Sequence, residues 1–280
     1  RGGCVTMEST IGAVVTDVER VSPGFVRVAL ATAPGEWTTS GDPDEFVHVE
    51  LGAEEADVAH GHTARHYTIS RVRPDGIEME IATHGHGPGA AWGESVLPGD
   101  EVLISEPKGY YRAPDASVTR LLVGDATAIP AIARILEEAR PDERFRVVIE
   151  VATMADSRTL TSLADVDLEW RIGGNGIGPS VLMDAVQRLL DSTESQPYLW
   201  VACESALSRR IRTYARGERG LPTSALRIVG YWHAEHDRIM SVWNGLTDDQ
   251  RDRYMAVWRD DRSDEENWIE AEPLLRAFGF

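Results

Sequence analysis

Leu121-Leu-Val-Gly-Asp-Ala-Thr-Ala-Ile-Pro-Ala-Ile132 decides the fold of this chain. An apolar run ends in a glycine, and a helix pattern follows at once. Strand, glycine turn and helix start, in that order, form the usual seat for a dinucleotide, because the first helical N–H groups face the turn. The stretch is not the Gly-x-Gly-x-x-Gly fingerprint and does not by itself name the nucleotide. The same rhythm repeats downstream. Strand candidates at Leu121–Val123, Arg146–Val151, Asp167–Ile172, Tyr198–Ala202 and Leu226–Val229 alternate with helical patterns near Ile129–Ala139, Ser180–Leu190 and Ser205–Arg216. This alternation predicts a parallel sheet covered by helices.

Upstream the chain reads differently. Short strand candidates at Ile11–Val18, Phe25–Ala31, Phe46–Leu51, Ala64–Val72, Ile77–Thr83 and Glu101–Glu106 are separated by turn chemistry at Pro23-Gly24, Pro34-Gly35, Pro74-Asp-Gly76 and Pro98-Gly-Asp100. Strands at this spacing predict a small antiparallel barrel. Its fourth strand holds Arg65-His-Tyr-Thr-Ile-Ser70. Period-2 geometry puts Arg65 and Tyr67 on one face. A cation for a phosphate beside an aromatic for a flat ring suits a flavin dinucleotide, with the Thr68 and Ser70 hydroxyls placed to bond the ring edge. Then comes His84-Gly-His-Gly-Pro-Gly-Ala-Ala-Trp92. Gly85, Gly87 and Gly89 let the backbone approach a pyrophosphate and offer N–H donors to it.

Taken in order, Arg65–Thr68, His84–Trp92, Gly124–Ala131, Trp200–Glu204 and Gly230–Trp232 resemble the motifs of the siderophore-interacting proteins, which are FAD-dependent ferric-siderophore reductases on the ferredoxin-reductase plan. The resemblance runs from about residue 8 to about residue 235. It implies an FAD-binding β-barrel over 8–115, an NAD(P)H-binding α/β domain over 116–235 and an acidic helical extension over 236–280. It also implies a cofactor-binding set of Arg65, His66, Tyr67, Thr68, Ser70, His84, Gly87, Gly89, Ala90 and Trp92, joined by Asp125, Thr127, Glu204 and Trp232 where nicotinamide meets flavin. No catalytic acid or base is expected, since electrons pass through the flavin. Departures from the family pattern fall at Gly89 and Ala90 (Ala and Ser in the family), at Ala126 (Glu) and at Cys203 (Gly). Ala90 lacks a hydroxyl donor worth roughly 0.5–1.5 kcal/mol. Cys203 reads as a small buried side chain, with a redox thiol as the alternative.

The implied reaction has a chemical logic. Siderophores hold iron(III) with hard oxygen ligands that hold iron(II) far less well. A nicotinamide gives two electrons and ferric iron takes one, so a flavin is the natural converter. Lys108 and Arg112, flanking Gly109-Tyr-Tyr111, are candidates to face an anionic ferric siderophore; they read equally as a solvated turn. Ser157 with Arg158, or Arg209 with Arg210, are candidates for a 2′-phosphate. Resemblance to members with a C-terminal helix leans toward NADH over NADPH. Two other readings stand beside this one: a flavin reductase with a different acceptor, and a non-catalytic siderophore-binding module.

Composition sets the outer limits. The formal net charge is −18, which argues against nucleic acid and against anionic membrane surfaces as partners. Lys108 is the only lysine. No apolar run approaches the roughly 18 residues of a membrane span, and no signal-peptide pattern opens the chain, with Met7 readable as the start. Cys4 and Cys203 make no disulfide framework, which fits a reducing cytoplasm; a monomer is expected. Six of the eight histidines lie between His48 and His86. His60-x-His62 and His84-x-His86 suggest a metal, but no cysteine or carboxylate pattern joins them, and no metal is expected. In the tail, Thr247-Asp-Asp-Gln250 and Ser263-Asp-Glu-Glu266 read as capping boxes, predicting two short helices around Trp243, Trp258 and Trp268.

Overall fold

The structure is a computed structural model that describes residues 10–51, 64–83, 87–112, 114–259 and 261–280. Six strands come first: β1 (Thr10–Ser22), β2 (Phe25–Thr32), β3 (Phe46–Glu50), β4 (Ala64–Arg73), β5 (Gly76–Ala82) and β6 (Glu101–Ser105). They close into an antiparallel barrel in the order β1-β2-β5-β4-β3-β6. β1 makes closure possible. It is 13 residues long, breaks register near Val15 and Arg20, and pairs with β2 on one side and β6 on the other. Alternate residues point inward, so Val15, Val28, Val47, Val49, Ile69, Ile77, Met79, Ile81 and Ile104 fill the interior.

The glycines of the stretch after β5 argue for a loop. Its second half is instead helix α1 (Pro88–Ser95), with Gly87 at the N-cap and Pro88 in the first turn. Glycine lowers helix propensity by about 1 kcal/mol per residue, which hides this helix in the composition. Proline needs no N–H partner in a first turn, and Ala90, Ala91 and Trp92 carry the helix on.

The second half is a five-stranded parallel sheet built from β7 (Arg120–Gly124), β8 (Arg144–Val151), β9 (Asp165–Ile172), β10 (Tyr198–Glu204) and β11 (Leu226–Trp232). Its order is β11-β10-β7-β8-β9. Chain progression therefore reverses between β7 and β10. β7 and β10 read as near-continuous apolar runs because both faces are covered. Helix α2 (Ile129–Glu137) covers the face toward the barrel, where Phe25 of β2 joins Leu122, Ile132, Val147, Ile149 and Trp200 in one core. Helices α3 (Leu182–Asp191) and α4 (Ser205–Thr213) cover the other face.

Polar ties fix barrel to sheet. Asp44 Oδ1 accepts the Tyr110 and Tyr111 N–H groups, both at 2.8 Å, and its Oδ2 accepts Trp200 Nε1 at 3.3 Å. The buried Glu45 carboxylate pairs with Arg134 of α2 at 2.7 Å. Asp156 accepts Ser22 Oγ and the Gly24 N–H, and Arg158 pairs with Glu80 of β5.

The tail forms three helices rather than two: α5 (His236–Gly245), α6 (Asp248–Met255) and α7 (Asp264–Phe278). Both capping boxes form as expected. The unexpected α5 lacks a side-chain cap at its start, so the capping signal could not reveal it. Trp243, Tyr254, Trp258, Trp268 and Phe280 pack edge to face. The N-terminus of α7 is anchored to the sheet. Glu265 Oε2 accepts Arg212 Nε at 2.8 Å and its Oε1 accepts the Ile228 N–H at 2.6 Å. Arg212 also donates to the Ile228 carbonyl and lies over Trp268. Beside it Arg227 pairs with Asp264 at 2.7 Å and stacks over Tyr110.

Glu150, at the end of β8, is 1 % exposed. Burial pushes its carboxyl above the ordinary range, opposed by the Val181 N–H that it accepts at 2.5 Å. A carboxyl raised in the folded state binds protons more tightly there than in the unfolded chain. Its stabilising contribution is thus present below the ordinary glutamate pKa and is lost as pH rises through the elevated one. Glu150→Gln keeps an acceptor for Val181 without the charge. Its melting temperature relative to the parent is expected to rise as pH goes from 4 to 8, and a pH-independent difference would refute the argument.

Candidate functional site

The β3–β4 register sorts the fourth-strand motif onto two faces. Val47 opposes Tyr67 and Val49 opposes Arg65, so Arg65 and Tyr67 share the face of the barrel-lining valines. Phe46 opposes Thr68 and His48 opposes His66, which puts Thr68 and His66 on the outer face. The Tyr67 ring lies 5.8 Å from Trp92 of α1. Burial raises the Tyr67 pKa, against the opposing pull of Arg65. Its Oη is buried and has no hydrogen-bond partner among the described residues. Gly89 faces that oxygen: a Cβ there would stand 2.6 Å from Tyr67 Oη. Ala90 follows on the same helix. Ser70 is not gathered in, because its hydroxyl donates to the Glu78 carbonyl on the neighbouring strand. His84, with Gly85 and His86, lies outside the described residues.

A second group sits at the carboxyl ends of β7 and β10, where the strand order reverses and open α/β sheets bind ligands. The Asp125 N–H donates to the Ala202 carbonyl at 3.2 Å, across the two strands. Its buried carboxylate accepts the Thr127 N–H at 3.0 Å, Thr127 Oγ1 at 2.6 Å and Trp232 Nε1 at 2.7 Å. Asp125, Thr127 and Trp232 are thus one unit. Glu204 caps α4, accepting the Leu207 N–H at 2.9 Å. Cys203 is fully buried, and burial pushes its thiol well up, with Asp125 adding to the effect. The small packed side chain is therefore the reading that fits, since reactivity needs the thiolate. The two groups approach each other where Thr68 of the barrel lies beside Tyr231 of β11, near enough to oppose the rise that burial gives its phenol.

The candidate cations behave differently from one another. Lys108 is exposed, and its backbone bridges to Phe46. Arg112 donates to Asp42 Oδ1 at 2.9 Å and to the Tyr111 and Gly109 carbonyls, so it braces the turn although its side chain is 68 % exposed. Arg158 is held by Glu80, and Ser157 Oγ donates to the Met154 carbonyl. Among the described residues no three His, Cys, Asp or Glu side chains gather as a metal-holding group; His60, His62, His84 and His86 lie outside those residues.

Sequence reasoning passed over two contributors. One is Asp44, whose role depends on Tyr110 and Trp200 arriving from distant segments. The other is Gly173-Gly-Asn-Gly-Ile-Gly-Pro179, after β9. Asn175 there has φ +54°, accepts the Ala126 N–H at 3.1 Å and donates to the Glu150 and Gly173 carbonyls. It braces the Asp125 turn from the side, and its glycine density was the signal. Gly174, at φ +51°, would set a Cβ 1.8 Å from Glu150 Oε1.

Gly89→Ala is expected to displace the Tyr67 hydroxyl and weaken FAD binding by roughly tenfold, the worth of about 1.4 kcal/mol. Tyr67→Phe in the same chain removes the clashing oxygen and should recover part of the loss. Fluorescence titration of the apoprotein with FAD measures both; additive losses would remove Gly89 from this role.

Two family models match. That for the siderophore-interacting FAD-binding domain covers residues 14–111, and that for the siderophore-interacting protein covers residues 118–235. An uncharacterized protein of Mycobacterium tuberculosis is 32% identical over 167 residues, 56% of this chain and 59% of that protein. The chain thus spans under two thirds of that relative's length. The NADPH-dependent ferric-chelate reductase of Escherichia coli is 22% identical over 248 residues, 79% of this chain and 92% of that one. Among solved structures, the siderophore-interacting protein of Acinetobacter baumannii superposes with a TM-score of 0.71 at 19% identity, covering 89% of this chain and 96% of its own. One model takes the barrel and the other the parallel sheet, in the order the fold presents them, and the chain belongs to the siderophore-interacting protein family.

Proposed function

We propose that this protein reduces ferric siderophores through bound FAD, with electrons from a nicotinamide dinucleotide. The observation that carries the reading is the Asp125–Thr127–Trp232 unit at the carboxyl ends of β7 and β11, with Thr68 of the fourth-strand motif beside Tyr231 of the same strand β11. The name of the E. coli relative supports the same reaction class.

The residues fit FAD. Tyr67 has a buried hydroxyl with no partner among the described residues, and an orphaned buried donor asks for a partner that a ligand supplies. Gly89 leaves the space beside it clear. Arg65 holds phosphate, the backbone N–H groups of Gly87, Gly89 and Ala90 at the start of α1 are donors to it, and Tyr67 with Trp92 offers aromatic faces. Thr68 bonds the ring edge. Bound flavin supplies the conversion of a two-electron hydride into single-electron steps. Asp125 holds Trp232 and Thr127 in place beside the flavin, and Glu204 and Trp232 border the space for nicotinamide. Lys108 draws in the anionic chelate against the acidic background of the chain.

NADH is the proposed donor. Arg158 is engaged by Glu80, which takes it from the recognition of a 2′-phosphate. Among the described residues no helix is long and apolar enough to cross a membrane, and a monomer at work in the cytoplasm is the companion proposal.

The test is anaerobic. The FAD-loaded protein is reduced chemically and mixed with ferric siderophores in the presence of an iron(II) trap. Stoichiometric flavin reoxidation with trapped iron(II) is expected. A reduced flavin that persists with every chelate points to another acceptor and rejects the proposal.

A further inference from the structure

The outer face of the barrel carries two imidazoles: His48, which lies outside the flavin set, and His66, which the resemblance places in that set but the register puts on the face opposite Arg65 and Tyr67. His66 is turned away from Arg65 and Tyr67, onto the face it shares with His48. The His48 N–H donates to Ser105 Oγ at 3.0 Å, toward β6. Toward β4, His48 and His66 are therefore a non-hydrogen-bonded cross-strand pair, the class in which opposed side chains come closest. Their ring centroids are 4.0 Å apart at an interplanar angle of 42°. Phe46 packs on both, at 6.1 Å from His48 and 5.3 Å from His66, and Tyr110 packs on Phe46 at 5.4 Å. This backing fixes the imidazoles without covering them: His66 is exposed and His48 half-buried.

The same face runs inward to the proposed reaction site. Phe46 lies opposite Lys108 across an antiparallel bridge and opposite Thr68 on β4. Residues directly opposed in a ladder project to one side. Thr68, Phe46, Lys108, His48 and His66 thus occupy one continuous strip, from Thr68, beside Tyr231, to the imidazole pair.

We propose that His48 and His66 form a transit site for iron(II), the product ion, on its way from the chelate mouth to solvent or to an acceptor. This rests on the ferric-siderophore reading above. The chemistry of the ion selects the donors. Iron(III) prefers the hard oxygens of a siderophore, whereas imidazole suits divalent iron. An ion that has just lost its oxygen ligands meets nitrogen donors on the same strip. Among the described residues no third His, Cys, Asp or Glu completes a cage. Two imidazoles leave the other positions to water, and a weak, open site suits an ion that must leave again.

The experiment titrates the full-length, FAD-loaded protein anaerobically with iron(II), and separately with cobalt(II), whose visible absorption reports its ligands. One saturable equivalent is expected for each ion, with cobalt the tighter, as the divalent series requires. His48→Gln and His66→Gln should each weaken binding by roughly tenfold or more, as loss of a ligand exceeds even the 10–100-fold effects of outer-shell changes. Arg144→Met, at the start of β8 in the parallel sheet, should leave it unchanged. Undiminished binding in the double glutamine variant overturns the proposal. So does no binding to the parent, or binding abolished only by replacing His60 and His62. Because the titration needs no electron donor, it is independent of the reductase test. A pair that binds iron(II) in a protein unable to reduce any chelate would retain the site and remove its meaning as a product path.

Discussion

Replacing Glu265 by alanine lowers folding stability by about 3–5 kcal/mol, the usual cost of leaving one partner of a buried ion pair alone. The pair is deeply enclosed, with side chains 3% and 2% exposed for Arg212 and Glu265. The mutation strands the Arg212 guanidinium and removes the acceptor of the Ile228 N–H. Glu265→Gln retains an acceptor for Ile228 but not the charge, so it should fall between parent and alanine. Asp264→Asn loosens only the more open pair with Arg227, where Asp264 is 31% exposed, and should cost less than about 1 kcal/mol. Urea unfolding of the three variants ranks them. If Glu265→Ala costs no more than Asp264→Asn, α7 does not hold the sheet in the way described.

A second large effect is expected at Asp125. Asp125→Ala should slow reduction of the flavin by NADH about 100-fold, the scale of a misplacement near 1 Å at a reacting centre. Its carboxylate is the acceptor that holds Thr127 and the Trp232 indole in one arrangement. Without it, the partly buried Thr127 N–H and Trp232 Nε1 lose their acceptor, and Trp232 is released. FAD content should be preserved, since the proposed flavin contacts lie on β4 and α1. Stopped-flow reduction at saturating NADH separates the two outcomes. A rate within twofold of the parent would show that the unit is structural only.

The fold was legible where local chemistry and tertiary context agree. Each of the six barrel strands follows a Pro/Gly turn or an alternating apolar run, and the five parallel strands are short apolar runs separated by amphipathic helices. Pro88–Ser95 was not legible, because three glycines near Pro88 argue for a loop while packing of the helix against β5 and β2 decides otherwise. His236–Gly245 carries no capping signal. At the candidate site, Arg65 and Tyr67 could be assigned to one face by period alone, and the register sets them opposite Val49 and Val47. The engagement of Ser70, Arg112 and Arg158 by Glu78, Asp42 and Glu80 could not. Those partners are set by strand pairing and by the docking of barrel on sheet, which no local pattern encodes. Asp44 is hidden for the same reason.

A parallel sheet ends in two strands whose outward backbone groups are open, and each is a template on which another chain can add a strand. At β9 the residues Asp165, Asp167, Glu169 and Arg171 alternate along the strand, and charge repels a newcomer. At β11 the device is different. Glu265 takes the N–H of Ile228 and Arg212 takes its carbonyl, which are the two bonds that an added strand would make. The ion pair thus imitates one residue of a neighbouring strand, and α7 carries half of the imitation. A chain that ends before α7 would therefore expose a growth edge, and its characteristic failure would be self-association through that edge.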